Sequence, residues 1–188
     1  MEIVHGRSEN FWKYWNELFG TISYQYPLYS ALGIEYSIAY NRESKFEDRS
    51  FVIVDDDVPL IGIILSQETD KNDQRILSGF GRGILYAEIE KEGVQSLKAA
   101  RKRFRTIFEE IWKSSPVDSI KYMDCCSVNG NLSYLSQYLL QNGGVCNVAF
   151  PRIIDLTSSI EYIHSQLSQS CKKRKNWGLK NQEIYLMN

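Results

Sequence analysis

The sequence predicts an α/β fold in which a mixed, largely antiparallel sheet is flanked by helices. Three features indicate it: an amphipathic helix near the N-terminus, apolar strands joined by an acidic turn, and a long amphipathic helix after them. The chain has 188 residues, 43% hydrophobic and 24% charged, as in folded globular proteins. Its longest apolar run, residues 60–65, is far shorter than the ~20 residues of a membrane span. We therefore expect a cytoplasmic protein.

The N-terminal region predicts a helix from residue 8 to residue 19. Ser8 is a favourable N-cap, and the apolar residues between Phe11 and Phe19 are spaced three and four apart. This spacing gives the helix one apolar face. Gly20 marks its expected end.

The segment after this helix contains residues that favour turns and helix ends. Pro27 favours the first turn of a short helix, and Gly33 is expected to stop that helix. Residues 36–40 then predict a short strand, and residues 42–49 predict a polar connector.

Residues 51–54 and 58–65 predict two antiparallel strands that turn at three consecutive aspartates, Asp55 to Asp57. A metal site at these acids is the alternative. The turn is favoured because consecutive residues at a hairpin tip cannot all face one ion. The four cysteines and two histidines show no zinc-ligand spacing, so we expect no metal.

A polar loop is expected over residues 68–74, followed by three alternating glycines around Arg82: Gly79, Gly81 and Gly83. The pattern is similar to a phosphate cradle, but it lacks the G-x-G-x-x-G spacing and a helix directly after it. A strand with a bulge or a close backbone approach is therefore the favoured interpretation.

The strongest helical pattern covers residues 94–113 and predicts a helix packed on the sheet. Phe104 lies on its apolar stripe and Arg101 lies off it. We expect Phe104→Ala to cost about 3 to 5 kcal/mol and Arg101→Ala less than about 0.5 kcal/mol. The elements expected after this helix are a strand at 119–125, a helix from Asn129 to Gly143, a strand at 145–156 and a helix starting at Ser158.

Positive charge is concentrated in two segments. Residues 94–113 and 170–180 hold half of the 22 lysines and arginines, which leaves the rest of the chain acidic. This segregation favours a positive surface for an anionic ligand, and solvated helix faces are the alternative. In the second segment the candidate binding residues are four cations and one stacking aromatic: Lys172, Lys173, Arg174, Lys175 and Trp177.

Several segments, taken in order, resemble the N-terminal half of the FemAB-like branch of the GNAT-related N-acyltransferases. YQYPLYSAL is similar to the opening of that family, and VIVDDDVPLIGIIL is similar to its acidic-turn hairpin. Arg82-Gly83-Ile84-Leu85 is similar to its R-G-P-V segment, with Ile84 in place of proline. FPRIIDLTSSIEYIHSQLSQSCKKRKNWGLK resembles the strand, capped helix and basic segment that join its two domains.

The resemblance implies a GNAT-like domain over residues 1–168 and a basic linker or interdomain helix over residues 169–188, leading to an absent second GNAT-like domain. It implies transfer of an acyl or aminoacyl group, from acyl-CoA or aminoacyl-tRNA as co-substrate, to an amine of a cell-wall or surface-polysaccharide precursor. No bound cofactor is implied. The alternative is a non-catalytic half that serves substrate recognition or dimerisation, completed by a second domain or a second copy of the chain.

Such a reaction requires a neutral amine, a proton acceptor and donors for the developing oxyanion. The sequence identifies no catalytic base, because Glu35, Glu88 and Asp124 are acids without supporting spacing. The predicted site therefore consists of binding groups for a phosphate-bearing small molecule. It comprises Arg82, which suits bidentate contact with a phosphate, and five residues of the basic run: Lys172, Lys173, Arg174, Lys175 and Trp177.

Overall fold

The computed structural model describes residues 1–22, 27–41, 45–70, 72–89, 95–114, 117–124 and 132–145, and single residues between 159 and 173. The chain divides into two compact units, Met1–Val145 and Cys146–Asn188. All the strands and helices given below belong to the first unit. The expected boundary between residues 168 and 169 stays a prediction.

The strands of the first unit are short, and all but one of them precede its longest helix along the chain. They are β1 (Glu2–His5), β2 (Lys45–Asp48), β3 (Phe51–Asp55), β4 (Val58–Ile64), β5 (Ser66–Thr69), β6 (Arg75–Ser78), β7 (Leu85–Glu88) and β8 (Ser119–Ile120). The helices are α1 (Glu9–Gly20), α2 (Ala31–Tyr40), α3 (Leu97–Ser114) and α4 (Tyr134–Gln141), with a 3-10 helix at Pro27–Tyr29.

The strands form two four-stranded sheets, in the orders β1-β3-β4-β7 and β2-β5-β6-β8. Neighbouring strands are antiparallel except β6 and β8, which are parallel. Only Leu65 separates β4 from β5, and two residues separate β2 from β3, so two stretches of chain cross both sheets. These observations confirm the mixed α/β, largely antiparallel fold class.

The acidic hairpin forms as expected. β3 and β4 pair antiparallel around Asp56 and Asp57, whose φ angles are 47° and 62°. Positive φ at both central residues is typical of the type I′ turn, which matches the twist of the flanking strands. The Tyr14 hydroxyl of α1 donates to the Asp57 carboxylate over 2.9 Å, which ties the turn to the helix.

Helices cover both faces of the first sheet. A Cβ on Gly62 would lie 2.9 Å from the Trp15 ring, so β4 and α1 are in close contact. Phe104 of α3 packs on Phe51 and Tyr86, with ring centroids 5.8 and 5.1 Å apart. All of these aromatic rings are buried. The expected helices at 8–19 and 94–113 are confirmed, the second beginning at Leu97.

The segment after α1 differs from expectation, because residues 36–40 form the second half of α2 instead of a strand. Ser30 is the N-cap of this helix, and its hydroxyl accepts from the backbone N–H of Gly33. Gly33 therefore lies in the first turn and does not end the helix. A Cβ at Gly33 would be 2.4 Å from the Pro27 carbonyl oxygen, so the glycine serves close packing.

Three further boundaries differ from expectation. The connector at 42–49 contains β2, and the loop at 68–74 begins inside β5. Of the strand expected at 119–125, the described residues 119–124 form β8 and one bridge, at Tyr122, and Cys125 lies outside the described residues.

Helix α4 ends as expected just before Gly143, whose φ is 86°. It begins at Tyr134 with Ser133 as its N-cap; the expected start, Asn129, lies outside the described residues. The expected helix start at Ser158 and nearly all of the expected strand at 145–156 also lie outside them. In the described part of the chain, no helix is long and apolar enough to cross a membrane.

Candidate functional site

The two sheets meet at a turn formed by Gly79–Gly83, here called the glycine turn, which lies between β6 and β7. Strand β8 spans it on one side. The backbone N–H of Lys121 donates to Leu77 over 2.8 Å before the turn, and that of Ile84 donates to Lys121 over 2.7 Å after it. The glycine turn therefore projects as a loop, and the hydrogen bonds to the β8 segment continue directly before and after it.

Two glycines allow this extrusion. A Cβ at Gly79 would lie 2.4 Å from the carbonyl oxygen of Gly83, and one at Gly83 would lie 2.7 Å from Met123 Cβ. The backbone N–H of Gly79 donates to the Arg82 carbonyl across the turn, over 2.9 Å. The close backbone approach expected from the alternating glycines is confirmed.

Buried serines hold the backbone of the glycine turn. The Ser66 hydroxyl accepts from Phe80 N–H over 2.8 Å, and the Ser78 hydroxyl accepts from Gly81 N–H over 3.2 Å. The two hydroxyls lie 3.2 Å apart, and both residues are fully buried. Side chains thus satisfy the backbone groups of two residues with positive φ, 56° at Phe80 and 83° at Gly81.

Three other elements hold Phe80 in place. Its ring packs edge-on against Phe46 of β2 at 5.5 Å, and the Arg7 guanidinium lies 4.7 Å from the ring centroid. The Asn41 amide, at the end of α2, donates to the Phe80 carbonyl over 3.2 Å. The turn is preorganised by side chains from widely separated parts of the chain.

The Arg82 side chain extends from the glycine turn and is half-buried. Its guanidinium lies 6.0 Å from the ring centroid of Tyr36, which stacks on Tyr40 along the exposed side of α2. Within the described ranges, no carboxylate pairs with Arg82 and no hydrogen bond engages its guanidinium. Binding of an anionic ligand by Arg82 stays a prediction.

The other predicted site residues belong to the second unit. Lys172 donates from Nζ to the Ser165 carbonyl over 3.3 Å, and Lys173 is exposed. Three members of the predicted site lie outside the described residues: Arg174, Lys175 and Trp177. A binding surface shared by Arg82 and this basic run stays a prediction.

The basic segment on α3 is less positive than its sequence indicates. Arg105 and Lys113 both contact the Glu109 carboxylate, at 2.7 and 3.1 Å. Donation from Arg105, then from Lys113 and the Tyr138 hydroxyl, lowers the pKa of Glu109 to about 2. Arg101 of the same segment pairs with Glu88. Three of the six cations on this helix therefore pair with two carboxylates, which offset part of its positive charge.

The three acids considered as bases all have partners. Glu35 accepts from Arg7 over 2.6 Å. Asp124 accepts from the Ser133 backbone N–H over 2.9 Å and from the Ser136 hydroxyl. Because both contacts lie in the first turn of α4, Asp124 serves as a helix-capping group.

Glu88, the third acid, is the centre of a network at the end of β7. It accepts from Arg101 Nε over 2.9 Å, from the second nitrogen of the same guanidinium, and from the Tyr86 hydroxyl over 2.7 Å. Burial, and then the neighbouring Glu88 carboxylate, raise the pKa of Tyr86 well above its usual value. The phenol therefore stays protonated as a hydrogen-bond donor.

Sequence reasoning missed Glu68, which it placed in a polar loop. In β5 its side chain is buried. Residues 66–69 are four polar residues in a row, so the sequence carries no signal that one face of this strand is buried. Among the described residues, no three His, Cys, Asp or Glu side chains cluster as a metal ion would require.

No protein-family model matches the sequence, and no curated protein matches it. Among solved structures the chain is similar to "Putative acetyltransferase from Agrobacterium tumefaciens str. C58". The likeness has a TM-score of 0.38 and 10% sequence identity, and it covers 82% of this chain and 100% of that chain. A likeness at this level carries no argument about function.

Proposed function

We propose that this chain is a GNAT-like N-acyltransferase domain, which transfers an acyl group from a carrier to an amine. The observation that carries the proposal concerns β7 and the chain that continues from β8. These two neighbouring segments pair at one point and pair no further among the described residues. β8 pairs with β6, and the chain that continues from β8 forms its last described pair where Tyr122 meets Ile84. Beyond that pair, no strand in the described ranges lies on the second edge of β7.

An open strand edge offers N–H and C=O groups to an extended ligand. The pantetheine arm of acyl-CoA is extended and carries amide groups, so it suits such an edge. Arg82 stands only two residues before Ile84, where the strands part. A guanidinium that pairs with no carboxylate of the described residues suits the phosphates of the same carrier.

Calorimetric titration of acetyl-CoA tests the donor. We expect Arg82→Ala to lose about 1.5 to 3 kcal/mol of binding, roughly ten- to a hundredfold in affinity, because one charge-assisted contact disappears. Binding to wild type should weaken as salt rises. The control is Arg103→Ala, which removes an exposed cation from α3. Equal affinity in both variants, without a salt effect, would place the donor site elsewhere.

The finer proposal names a cell-wall or surface-polysaccharide amine as acceptor, and aminoacyl-tRNA as a second possible donor. It is supported by the sequence resemblance. Release of free thiol from acetyl-CoA in the presence of amino sugars, compared with the parent sugars, tests the acceptor. Turnover that requires the amino group supports an N-acyltransferase, and turnover with the parent sugars as well contradicts it.

A second candidate is a non-catalytic recognition half. The observation that favours it is the occupation of Glu35, Glu88 and Asp124, each held by a partner in the fold. It predicts donor or acceptor binding without turnover, and association with a second domain or a second copy of the chain. Sedimentation together with the thiol assay separates the two: a monomer with turnover excludes the recognition half.

A further inference from the structure

Strand β2 lies at one edge of the second sheet, and its outer side faces no strand of the described residues. It pairs with β5 alone, in a register that places Lys45 opposite Thr69 and Asp48 opposite Ser66. A free strand edge presents N–H and C=O groups that can pair with another chain. The outer backbone groups of β2 therefore take either water or a further strand as their partner.

The hydrogen-bond pattern shows which backbone groups of β2 face outward. The Arg49 N–H donates to the Leu65 carbonyl over 2.8 Å, which continues the register of β2 and β5. Hydrogen-bonded pairs alternate with other pairs along antiparallel strands, so Lys45 and Glu47 also direct their backbone groups toward β5. Phe46 lies between them and directs its N–H and C=O groups toward the free edge. Within the described part of the chain, no hydrogen bond engages either group.

The side chains of β2 suit pairing with an identical strand. Lys45 and Glu47 are exposed and carry opposite charges on one face, and Phe46 lies between them on the other face. Charges of a single sign would repel an identical edge, whereas opposite charges two residues apart can attract it. One Glu47 oxygen contacts Arg49 at 2.7 Å, but 57% of the Glu47 side chain is exposed, so the carboxylate can take a second cation.

We propose that two copies of this chain associate by antiparallel pairing of their β2 strands, with the two-fold axis at Phe46. In this register the two Phe46 residues exchange both of their outer hydrogen bonds. Each Lys45 lies directly opposite Glu47 of the second copy, so the ion pair forms twice, once on each side of the axis. The inference goes beyond the proposed function and does not rest on it.

The neighbouring registers are unfavourable. Directly opposite residues of the two strands share a face, so the axis passes through a residue and not between two residues. An axis at Lys45 places two ammonium groups opposite each other, and an axis at Glu47 places two carboxylates opposite each other and Lys45 opposite Arg49. An axis one residue further along needs the outer backbone groups of Ser50, whose carbonyl already accepts from the Gly6 N–H over 2.8 Å.

The interface is small and partly polar. Its apolar part is Phe46, whose half-buried ring packs edge-on against Phe80 of the glycine turn at 5.5 Å. Two four-residue strands bury less than the ~800 Å² per partner of a typical stable interface. We therefore expect a weak dimer whose population rises with protein concentration and falls as salt screens the ion pairs.

Sedimentation equilibrium of the full chain over a range of concentrations tests the association. We expect a monomer–dimer equilibrium in which Lys45→Glu and Glu47→Lys each weaken dimerisation at least tenfold, because each places like charges opposite each other. Lys102→Glu and Glu110→Lys reverse exposed charges of α3 and are the matched controls, which should dimerise as wild type does. Wild type that stays monomeric at its highest soluble concentration overturns the inference.

Mixing the two β2 variants separates the proposed register from a general effect of charge. An equimolar mixture of Lys45→Glu and Glu47→Lys chains restores opposite charges at both contacts of a mixed dimer. The mixture should therefore dimerise with an affinity close to that of wild type, although neither variant does so alone. Both substituted side chains are exposed, so thermal unfolding should show both variants folded. A mixture of folded variants that is no more dimeric than its components overturns the inference.

Hydrogen exchange of the Phe46 amide identifies the surface and requires no variant. In the dimer this N–H donates to the second copy, so its exchange should slow as protein concentration rises. The Asn10 amide, in the first turn of α1, is the control and should keep its rate. A dimer with a constant Phe46 rate uses another surface, and a monomer with a protected Phe46 amide has this edge covered by its own chain. Either result overturns the inference, and because no acyl donor is present, neither bears on the acyltransferase.

Discussion

Arg101 shows at the residue scale how a contact changes an energetic expectation. Its place off the apolar stripe of α3 predicts almost no effect on stability. In the structure its guanidinium makes a two-point contact with Glu88, whose side chain is only 19% exposed, and lies 5.3 Å from the Tyr134 ring centroid. Helical spacing alone cannot predict that contact, because Glu88 comes from the end of a strand.

We therefore predict that Arg101→Ala destabilises the protein by about 1 to 2 kcal/mol, more than the sequence indicates. The loss is limited because the side chain is 40% exposed, but it leaves the Glu88 carboxylate without its cation. Urea unfolding measures it. The control, Arg103→Ala, should change stability by less than about 0.5 kcal/mol. Equal effects would mean that solvent already screens the Arg101–Glu88 pair.

Glu109 gives a prediction about pH at the same scale. Contacts with Arg105, Lys113 and Tyr138 lower its folded-state pKa to about 2, below the unfolded value near 4.5. Its contribution to stability is therefore fully present above pH 5 and is lost as pH falls through 4.5 toward 2. Glu109→Gln should flatten this part of the stability curve, measured by urea unfolding at several pH values. A variant with the wild-type slope would contradict the prediction.

At the element scale, the sequence correctly predicted those elements whose residues show one strong pattern. The stripe around Phe104 and the acidic turn at Asp56 gave the long helix and the hairpin. It failed at α2, where Tyr36 and Tyr40 suggested a strand, because Gly33 resembles a helix stop and is in fact a close-packing residue. It also failed at Glu68, because residues 66–69 are all polar and their sequence does not show which face of the strand is buried.

The glycine turn gives a prediction for an element. Gly79→Ala should destabilise the protein by about 1 to 3 kcal/mol, since its Cβ would come within 2.4 Å of the Gly83 carbonyl oxygen, which is backbone and cannot move aside cheaply. Gly20→Ala is the control, because a Cβ at the end of α1 meets nothing within 4 Å. Chemical unfolding of both variants measures the difference. Similar stabilities would show that the turn can relax.

On the scale of the molecule, the Met1–Val145 unit depends on the junction between its two sheets. The Arg49 backbone N–H donates to the Leu65 carbonyl over 2.8 Å, and the buried Ser50 hydroxyl accepts from the Leu65 N–H over 3.1 Å. These contacts lie where β2 leads into β3 and β4 leads into β5. The junction also adjoins Ser66, which holds the glycine turn. Ser66, which holds the backbone of the glycine turn, therefore directly follows Leu65, through which the two sheets are hydrogen-bonded.

The junction predicts that both sheets unfold together. Native-state hydrogen exchange should give the same opening free energy for the amides of Ile53 in β3 and Leu77 in β6, since β4 and β5 run through both sheets as nearly continuous chain. Ser50→Ala should lower both values equally, by about 1 to 3 kcal/mol, because it leaves the buried Leu65 N–H unsatisfied. Ser114→Ala, at the exposed end of α3, is the control and should change neither. If Leu77 exchanged through a separate opening of lower free energy, the second sheet would be an independent unit, and the glycine turn would be anchored to the less stable of the two.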